Sequence, residues 1–246
     1  MTTDATRGAS VARRLRQTLS LGLADHPRLF YPVMRRRAAF KAVLISDRTG
    51  LVIEGYPRSG NTFAVTAVQF AQEHPLNIAR HTHAPAQVME AARRGLPTLL
   101  LVRDPRDACV SLVLRDPDIS LAFALRRYVR FYSRVAPFWK SYIVASFAQV
   151  TTDLSIVVER LNVRFSMGLA PFVHTPENCD RVFGIVEDMS RQLLGGVLKE
   201  TRVARPSAVR DALKANAMRG LEDQGCRTLL DACNSRYREF LDLARE

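Results

Sequence analysis

The chain has 246 residues, of which 47% are hydrophobic and 24% charged, enough to build one large globular domain. No apolar run reaches the roughly 18 residues of a spanning helix, and Met1 to Ser10 lacks the apolar centre of a secretory signal, so an integral membrane protein is not expected and a cytoplasmic one is. The 36 basic and 24 acidic residues leave a net charge of +12. That excess suits an anionic partner: nucleic acid, lipid headgroups or a phosphorylated small molecule. Cys109, Cys179, Cys226 and Cys233 form no CxxC pair and have no histidine at finger spacing, so neither a disulfide scaffold nor a structural zinc site is expected.

Residues 1–41 hold nine basic side chains against Asp4 and Asp25. Within them Val11, Leu15, Leu19 and Leu23 recur every four residues between Arg13, Arg14, Arg16 and Gln17, which predicts a short basic amphipathic helix. Such a helix either docks on an anionic membrane surface or packs on the core with its arginines in water. Residues 1–47 are therefore read as a basic N-terminal extension, and residues 48–246 as an α/β domain.

From Leu51 the pattern changes. Leu51-Val52-Ile53 reads as a strand, a turn follows, and Thr62 to Gln72 suits a mostly buried helix. A helix near Ala86 to Arg94 precedes Thr98-Leu99-Leu100-Leu101-Val102, a run buried on both faces, and Asp104-Pro105-Arg106-Asp107 turns into a helix over about Ala108 to Leu114. Strands alternating with helices imply a parallel sheet. Leu121 to Tyr142 reads as one long helix whose aromatic stripe belongs to the core, Phe147 to Thr151 as a short strand, and the chain after Asp153 as helical apart from Thr201 to Ser207.

The segment Gly55-Tyr56-Pro57-Arg58-Ser59-Gly60-Asn61-Thr62 has the GxxxxGK[ST] spacing of a phosphate-cradling loop, with Asn61 where lysine should be. Between a strand and a helix it aims backbone N–H groups and the positive helix end at one anion, with Ser59 and Thr62 adding hydroxyls. Without the lysine the loop is poorly equipped for an ordinary nucleoside triphosphate. Arg103, at the carboxyl end of the second strand, and Ser111, eight residues on, are suited to a second phosphate.

These residues resemble the sulfotransferases that use 3′-phosphoadenosine 5′-phosphosulfate. Tyr56-Pro57-Arg58-Ser59-Gly60-Asn61-Thr62-Phe63 is similar to their first motif, Arg103-Asp104-Pro105-Arg106-Asp107 with Ser111 to their second, and Thr82-His83-Ala84-Pro85 to the intervening segment that holds their base. The resemblance covers roughly residues 50–115. It implies a P-loop-type parallel sheet flanked by helices, with a helical C-terminal part. It also implies that Arg58, Ser59, Gly60, Asn61, Thr62 and Phe63 surround the 5′-phosphosulfate, that Arg103 and Ser111 hold the 3′-phosphate, and that His83 is the general base, with no metal required. Arg58 stands where many relatives have lysine; it keeps the charge but cannot give up a proton, which leaves it an electrostatic role. Arg205, in the basic stretch Arg202 to Arg210, falls where relatives close a loop over the nucleotide, though the glycines of that loop are missing. Thr151-Thr152-Asp153-Leu154 lacks the Tyr-Glu pair of relatives and carries nothing over.

The implied activity is transfer of a sulfuryl group to a hydroxyl or amine of a small-molecule, glycan or lipid-linked acceptor, with membrane contact through residues 1–41 and no nucleic acid. Two other readings compete. One is a P-loop kinase with Asp104 as its Mg²⁺-associated carboxylate; the other is a noncatalytic basic module that binds nucleic acid or membrane.

Overall fold

A computed structural model describes residues 17–193 and 208–245. Residues 17–24 are helical, followed by α1 (Pro27–Arg35), a 3₁₀ turn (Ala38–Phe40), β1 (Leu51–Gly55), α2 (Asn61–Ala71), β2 (Ile78–Arg80), α3 (Pro85–Arg94), β3 (Thr98–Val102) and α4 (Pro105–Arg115). Then come α5 (Leu121–Val135), a 3₁₀ segment (Ala136–Ser141), β4 (Ile143–Ser146), α6 (Phe147–Thr152), α7 (Leu154–Phe165) and α8 (Pro176–Leu193). The last described elements are α9 (Ala208–Arg219), a 3₁₀ turn (Gly220–Glu222) and α10 (Gln224–Leu243).

The four strands pair parallel in the order β2-β1-β3-β4, with helices on both faces. Alternation along the strands sorts the core into layers. Leu51, Ile53, Leu99 and Leu101 face α2, α7 and α8 in one cluster. Leu100, Val102 and Val144 face α4, α5 and α10 in another. Burial on both faces explains why Leu51 to Ile53 of β1 and Leu99 to Val102 of β3 are continuous apolar runs rather than alternating ones.

A third cluster joins Val52 and Ala79 of the sheet to Phe30 and Tyr31 of α1, Leu44, Ile45 and Ala91, so residues 30–45 pack directly on the strands. Leu23 packs at its edge while Leu19 is 64% exposed. A four-residue repeat drifts about 40° per step around a helix of 3.6 residues per turn, so the stripe leaves the contact face. Val11, Leu15, Arg13, Arg14 and Arg16 lie outside the described residues.

Two elements differ from expectation. Phe147 to Thr151 is helix, not strand; the strand is Ile143–Ser146, and Ser146 starts α6 with a capping box, its Oγ accepting from Gln149 N at 3.2 Å while Gln149 Oε1 accepts from Ser146 N at 2.8 Å. The long helix from Leu121 stops at Val135 and tightens into a 3₁₀ segment around Pro137, which lacks an N–H for the helical ladder; Ala136 keeps helical backbone and Phe138 departs from it. The aromatic stripe is largely core, with Tyr128, Phe131 and Tyr132 buried and Trp139 exposed. Among the described residues no helix is long and apolar enough to cross a membrane.

Candidate active site

The chain runs from β1 outward to β2 in one direction and from β3 to β4 in the other, so the sheet reverses its winding between β1 and β3. The crevice at the carboxyl ends of those two strands is where open parallel sheets hold ligands. The register pairs Gly55 with Leu101, which sets Arg103 level with the loop after β1. The two motifs separated by some forty residues meet there: Arg103 Nη1 donates to the Arg58 carbonyl at 2.9 Å, and Arg58 Nε donates to Ser111 Oγ at 2.9 Å.

Gly55 is dictated by the approach of β3, since a Cβ on it would stand 2.6 Å from the Leu101 carbonyl oxygen. Gly60 has φ +91° at the start of α2, where a side chain would be strained and would press on the Phe147 ring. No side chain caps α2 and its first turn carries no acid, so the N–H groups of this 11-residue helix face the crevice side without a carboxylate beside them. Together with the Arg58 and Arg103 guanidinium groups this donor set fits a phosphate-bearing group. Asn61 does not replace the absent lysine as a charge: it is buried, and its Nδ2 donates to the Tyr56 carbonyl at 3.0 Å, closing the loop on itself. Phe63 is packed in the core against Phe172, His174 and Phe183. Ser59 is fully buried and Thr62 partly exposed.

Arg103 is held from several sides. Its guanidinium carbon lies 3.9 Å from the centroid of the Phe147 ring, its Nη2 is 3.7 Å from Asp107 Oδ2, and its carbonyl accepts from the Tyr128 hydroxyl at 2.7 Å. Lys214 of α9 reaches Asp107 Oδ1 at 2.5 Å, tying the C-terminal helices to this edge. Arg205 lies outside the described residues. Phe147, which touches both Arg103 and Gly60, escaped sequence reasoning because its segment reads as a strand; the Ser-x-x-Gln capping pattern was the available signal.

His83 lies just past β2, where the segment Arg80 to Pro85 turns back over β1. Its Nδ1 is 2.8 Å from the Gly55 carbonyl. A carbonyl only accepts, so Nδ1 carries the proton and Nε2 keeps a free lone pair. Burial first, then the neighbouring His81, lowers the His83 pKa to about 3, and burial lowers that of His81 to about 4. Both rings are therefore neutral at pH 7, with centroids 6.0 Å apart. Arg58 (φ 69°), His81 (φ 59°) and His83 (φ 49°) are three of the four non-glycine residues in the left-handed region among the described residues. Such strained backbone concentrates at functional sites.

Behind His83 stands Glu54, a fully buried strand residue that sequence reasoning did not single out. Its Oε1 accepts from Thr82 N and Thr82 Oγ1, both at 2.8 Å, and from Gln87 Nε2 at 3.1 Å; its Oε2 accepts from His83 N at 3.0 Å. Burial pushes its pKa up to about 7 against the pull of these donors.

His83 also lines a cavity of about 610 Å³. Phe30, Met34, Arg37 and Phe40 form one wall, and Asp116, Ile119, Phe123, Arg127 and Phe131 another. Asp25, also in the lining, fastens the two walls: its Oδ2 accepts from Arg130 Nε at 2.7 Å and Arg134 Nε at 2.9 Å. Among the described residues no group of three or more His, Cys, Asp or Glu side chains is arranged to hold a metal ion.

Fold and site together describe an α/β protein whose crevice between β1 and β3 gathers two arginines and the N-terminus of α2, with a neutral histidine at its side. No protein-family profile matches the chain, and no curated protein matches it. Among solved structures it is similar to mouse sulfotransferase SULT7A1 complexed with PAP, at 12% identity and a TM-score of 0.41, over 82% of this chain and 95% of that one.

Proposed function

We propose that the protein is a sulfotransferase that moves a sulfuryl group from 3′-phosphoadenosine 5′-phosphosulfate to a hydroxyl or amine of an acceptor held in the cavity beside His83. The observation that carries this reading is the position of His83, whose proton-accepting Nε2 belongs to a ring that bonds to the phosphate loop at Gly55 and lines the cavity. The donor nucleotide supplies an activated sulfuryl group. Loop amides, Arg58, Ser59, Gly60 and Thr62 would hold its 5′ end, and Arg103 and Ser111 its 3′-phosphate. Asn61 and Phe63 serve that cradle by shaping it.

Mechanistically, the neutral His83 takes the acceptor's proton at Nε2 as the acceptor oxygen or nitrogen attacks. Arg58 balances negative charge on the leaving side without proton transfer. Arg58 and Ser111, assigned to different ends of the nucleotide, are hydrogen-bonded to each other, which brings the two ends of the cradle together. The aromatic and aliphatic cavity walls suit an acceptor with an apolar body.

A membrane contact is part of the proposal. Arg28, Leu29, Arg35, Arg36, Arg37 and Lys41 are all exposed on and just after α1, and Arg37 also lines the cavity, which places a basic surface beside the acceptor entrance.

The test is calorimetric titration with 3′-phosphoadenosine 5′-phosphate beside AMP and ATP, with and without Mg²⁺. Micromolar, metal-independent binding that needs the 3′-phosphate is expected. Preference for Mg·ATP would replace this reading with the kinase one, and RNA binding without nucleotide affinity would replace it with the noncatalytic module.

A further inference from the structure

We propose that Glu54 is a positioning residue for His83: its buried carboxylate locks the Thr82–His83 corner in place and supplies the negative charge that balances the imidazolium formed when His83 accepts a proton. This rests on the reading of His83 as the base.

Every contact of the carboxylate points the same way. Two of its four donors are backbone N–H groups, which can only donate, and they belong to Thr82 and to His83 itself. Both Glu54 oxygens therefore act as acceptors, and these donors favour the ionised carboxylate against the burial that raises its pKa to about 7. By taking the main-chain N–H groups of consecutive residues, Glu54 helps to hold His83 at φ 49°, an uncommon conformation for a non-glycine residue. The corner in turn presents Nδ1 to Gly55 O and directs the lone pair of Nε2 elsewhere.

The electrostatics follow from distance. Glu54 Oε2 lies 4.0 Å from His83 Nδ1, within the range where an opposite charge shifts a pKa by about one to three units. Arg115 at the end of α4 and Arg127 on α5 oppose protonation of the imidazole, as does His81 on its own segment once charged, and Asp25, Asp116 and Asp118 line the cavity that His83 faces. On the far side of Glu54, Gln87 of α3 accepts from the Tyr31 hydroxyl of α1 at 3.2 Å, and Glu90 of α3 and Arg35 and Arg94 act on that phenol. Glu54 is thus the carboxylate whose own hydrogen bonds hold the segment that carries the imidazole. A histidine held far below neutrality is a weak base; an ionised carboxylate behind it raises its proton affinity at the moment of transfer. Glu54 touches neither acceptor nor nucleotide in this arrangement.

The experiment uses the full chain and its Glu54→Gln and Glu54→Asp variants, with the His83 ring followed by NMR titration in the presence of saturating 3′-phosphoadenosine 5′-phosphate. In Glu54→Gln the His83 pKa is expected to fall by about one unit or more, the acid limb of the pH–rate profile to move the same way, and kcat to drop about 10- to 100-fold with acceptor KM within about 3-fold. Glu54→Asp, which keeps the charge, should restore most of the His83 pKa. The wild-type chain with ¹³C-labelled glutamate carboxyls supplies a readout that needs no variant to fold: the buried carboxyl resonance should shift at the pH where His83 titrates. An unmoved His83 pKa in Glu54→Gln, or a carboxyl signal blind to His83, overturns the proposal. Absence of nucleotide binding with the His83–Glu54 coupling intact instead overturns the sulfotransferase reading and leaves the pairing standing.

Discussion

Replacing Gly55 by alanine tests the closeness of β1 and β3, on which the whole site depends. The added Cβ would sit 2.6 Å from the Leu101 carbonyl oxygen and 3.0 Å from Leu101 Cβ. The oxygen is main chain in a central strand, so it cannot rotate away as a side chain would. Restoring an ordinary contact requires the strands to part by well over half an ångström where they are hydrogen-bonded. Overpacking of a core costs about 1–3 kcal/mol, and the immobility of the neighbour argues for the upper end, about 3 kcal/mol. For a chain of this size that corresponds to roughly 6–12 °C in Tm. The same substitution at Gly184, exposed on α8 with nothing within 4 Å of the added Cβ, should instead stabilise by about 0.5–1 kcal/mol, because alanine loses less backbone entropy in a helix. Urea unfolding followed by far-ultraviolet circular dichroism measures both. If Gly55→Ala unfolds within about 0.5 kcal/mol of wild type, the close strand approach described above is wrong, and with it the placement of Arg103 against the loop.

Other outcomes follow from the site. His83→Ala should lower sulfuryl transfer by about 10²- to 10⁴-fold while calorimetry finds nucleotide affinity nearly unchanged; near-normal turnover would remove His83 as the base. Arg103→Lys keeps the charge but loses the stacking on Phe147 and the fork that reaches Arg58 O, so nucleotide affinity should fall by about 10-fold or more, and affinity equal to wild type would show that Arg103 does not touch the ligand. His81 and His83 are depressed below their ordinary 6.5, so their contribution is present above pH 6.5 and lost as pH falls through the range toward their folded values; His81→Asn should flatten the fall in urea stability between about pH 6 and 4, and an unchanged slope would contradict its burial as a neutral ring. The Arg28→Ala/Arg35→Ala/Arg36→Ala triple variant should lose binding to phosphatidylserine-containing vesicles that wild type shows at low salt, whereas equal sedimentation of the two would remove α1 from the membrane contact.

The strand-loop-helix unit around Gly55 and the β3–α4 unit were legible because their signals are local: buried runs five residues long, glycines at fixed spacing, and Asp-Pro at a helix start, where Asp104 caps α4 by accepting from Arg106 N. That Arg58, Arg103, Ser111 and His83 converge is a consequence of parallel pairing at one sheet edge, which motif order suggested and register delivers. Glu54 was not legible. An acidic residue in an apolar strand carries no spacing signal, and its meaning comes entirely from a corner 28 residues later. Strand β2 has three residues, too few for a period to show. Phe147 was misassigned because β-forming residues next to a capping serine fit either element, and tertiary position decided. Glu54 and Phe147 are both supports rather than ligands, and the pattern of a motif records contacts to a ligand better than the props behind it.

The cavity beside His83 draws its walls from residues 17–40, 82–85 and 116–131, and the last of these stretches also braces the crevice, Tyr128 donating to the Arg103 carbonyl and the Ala124 carbonyl accepting from the Tyr56 hydroxyl of the loop. Asp25 rivets those stretches together through Arg130 and Arg134. Substitutions on the wall formed by residues 17–40 are therefore freer to reshape the cavity than those near Ala124 and Tyr128, which would be felt in the crevice as well.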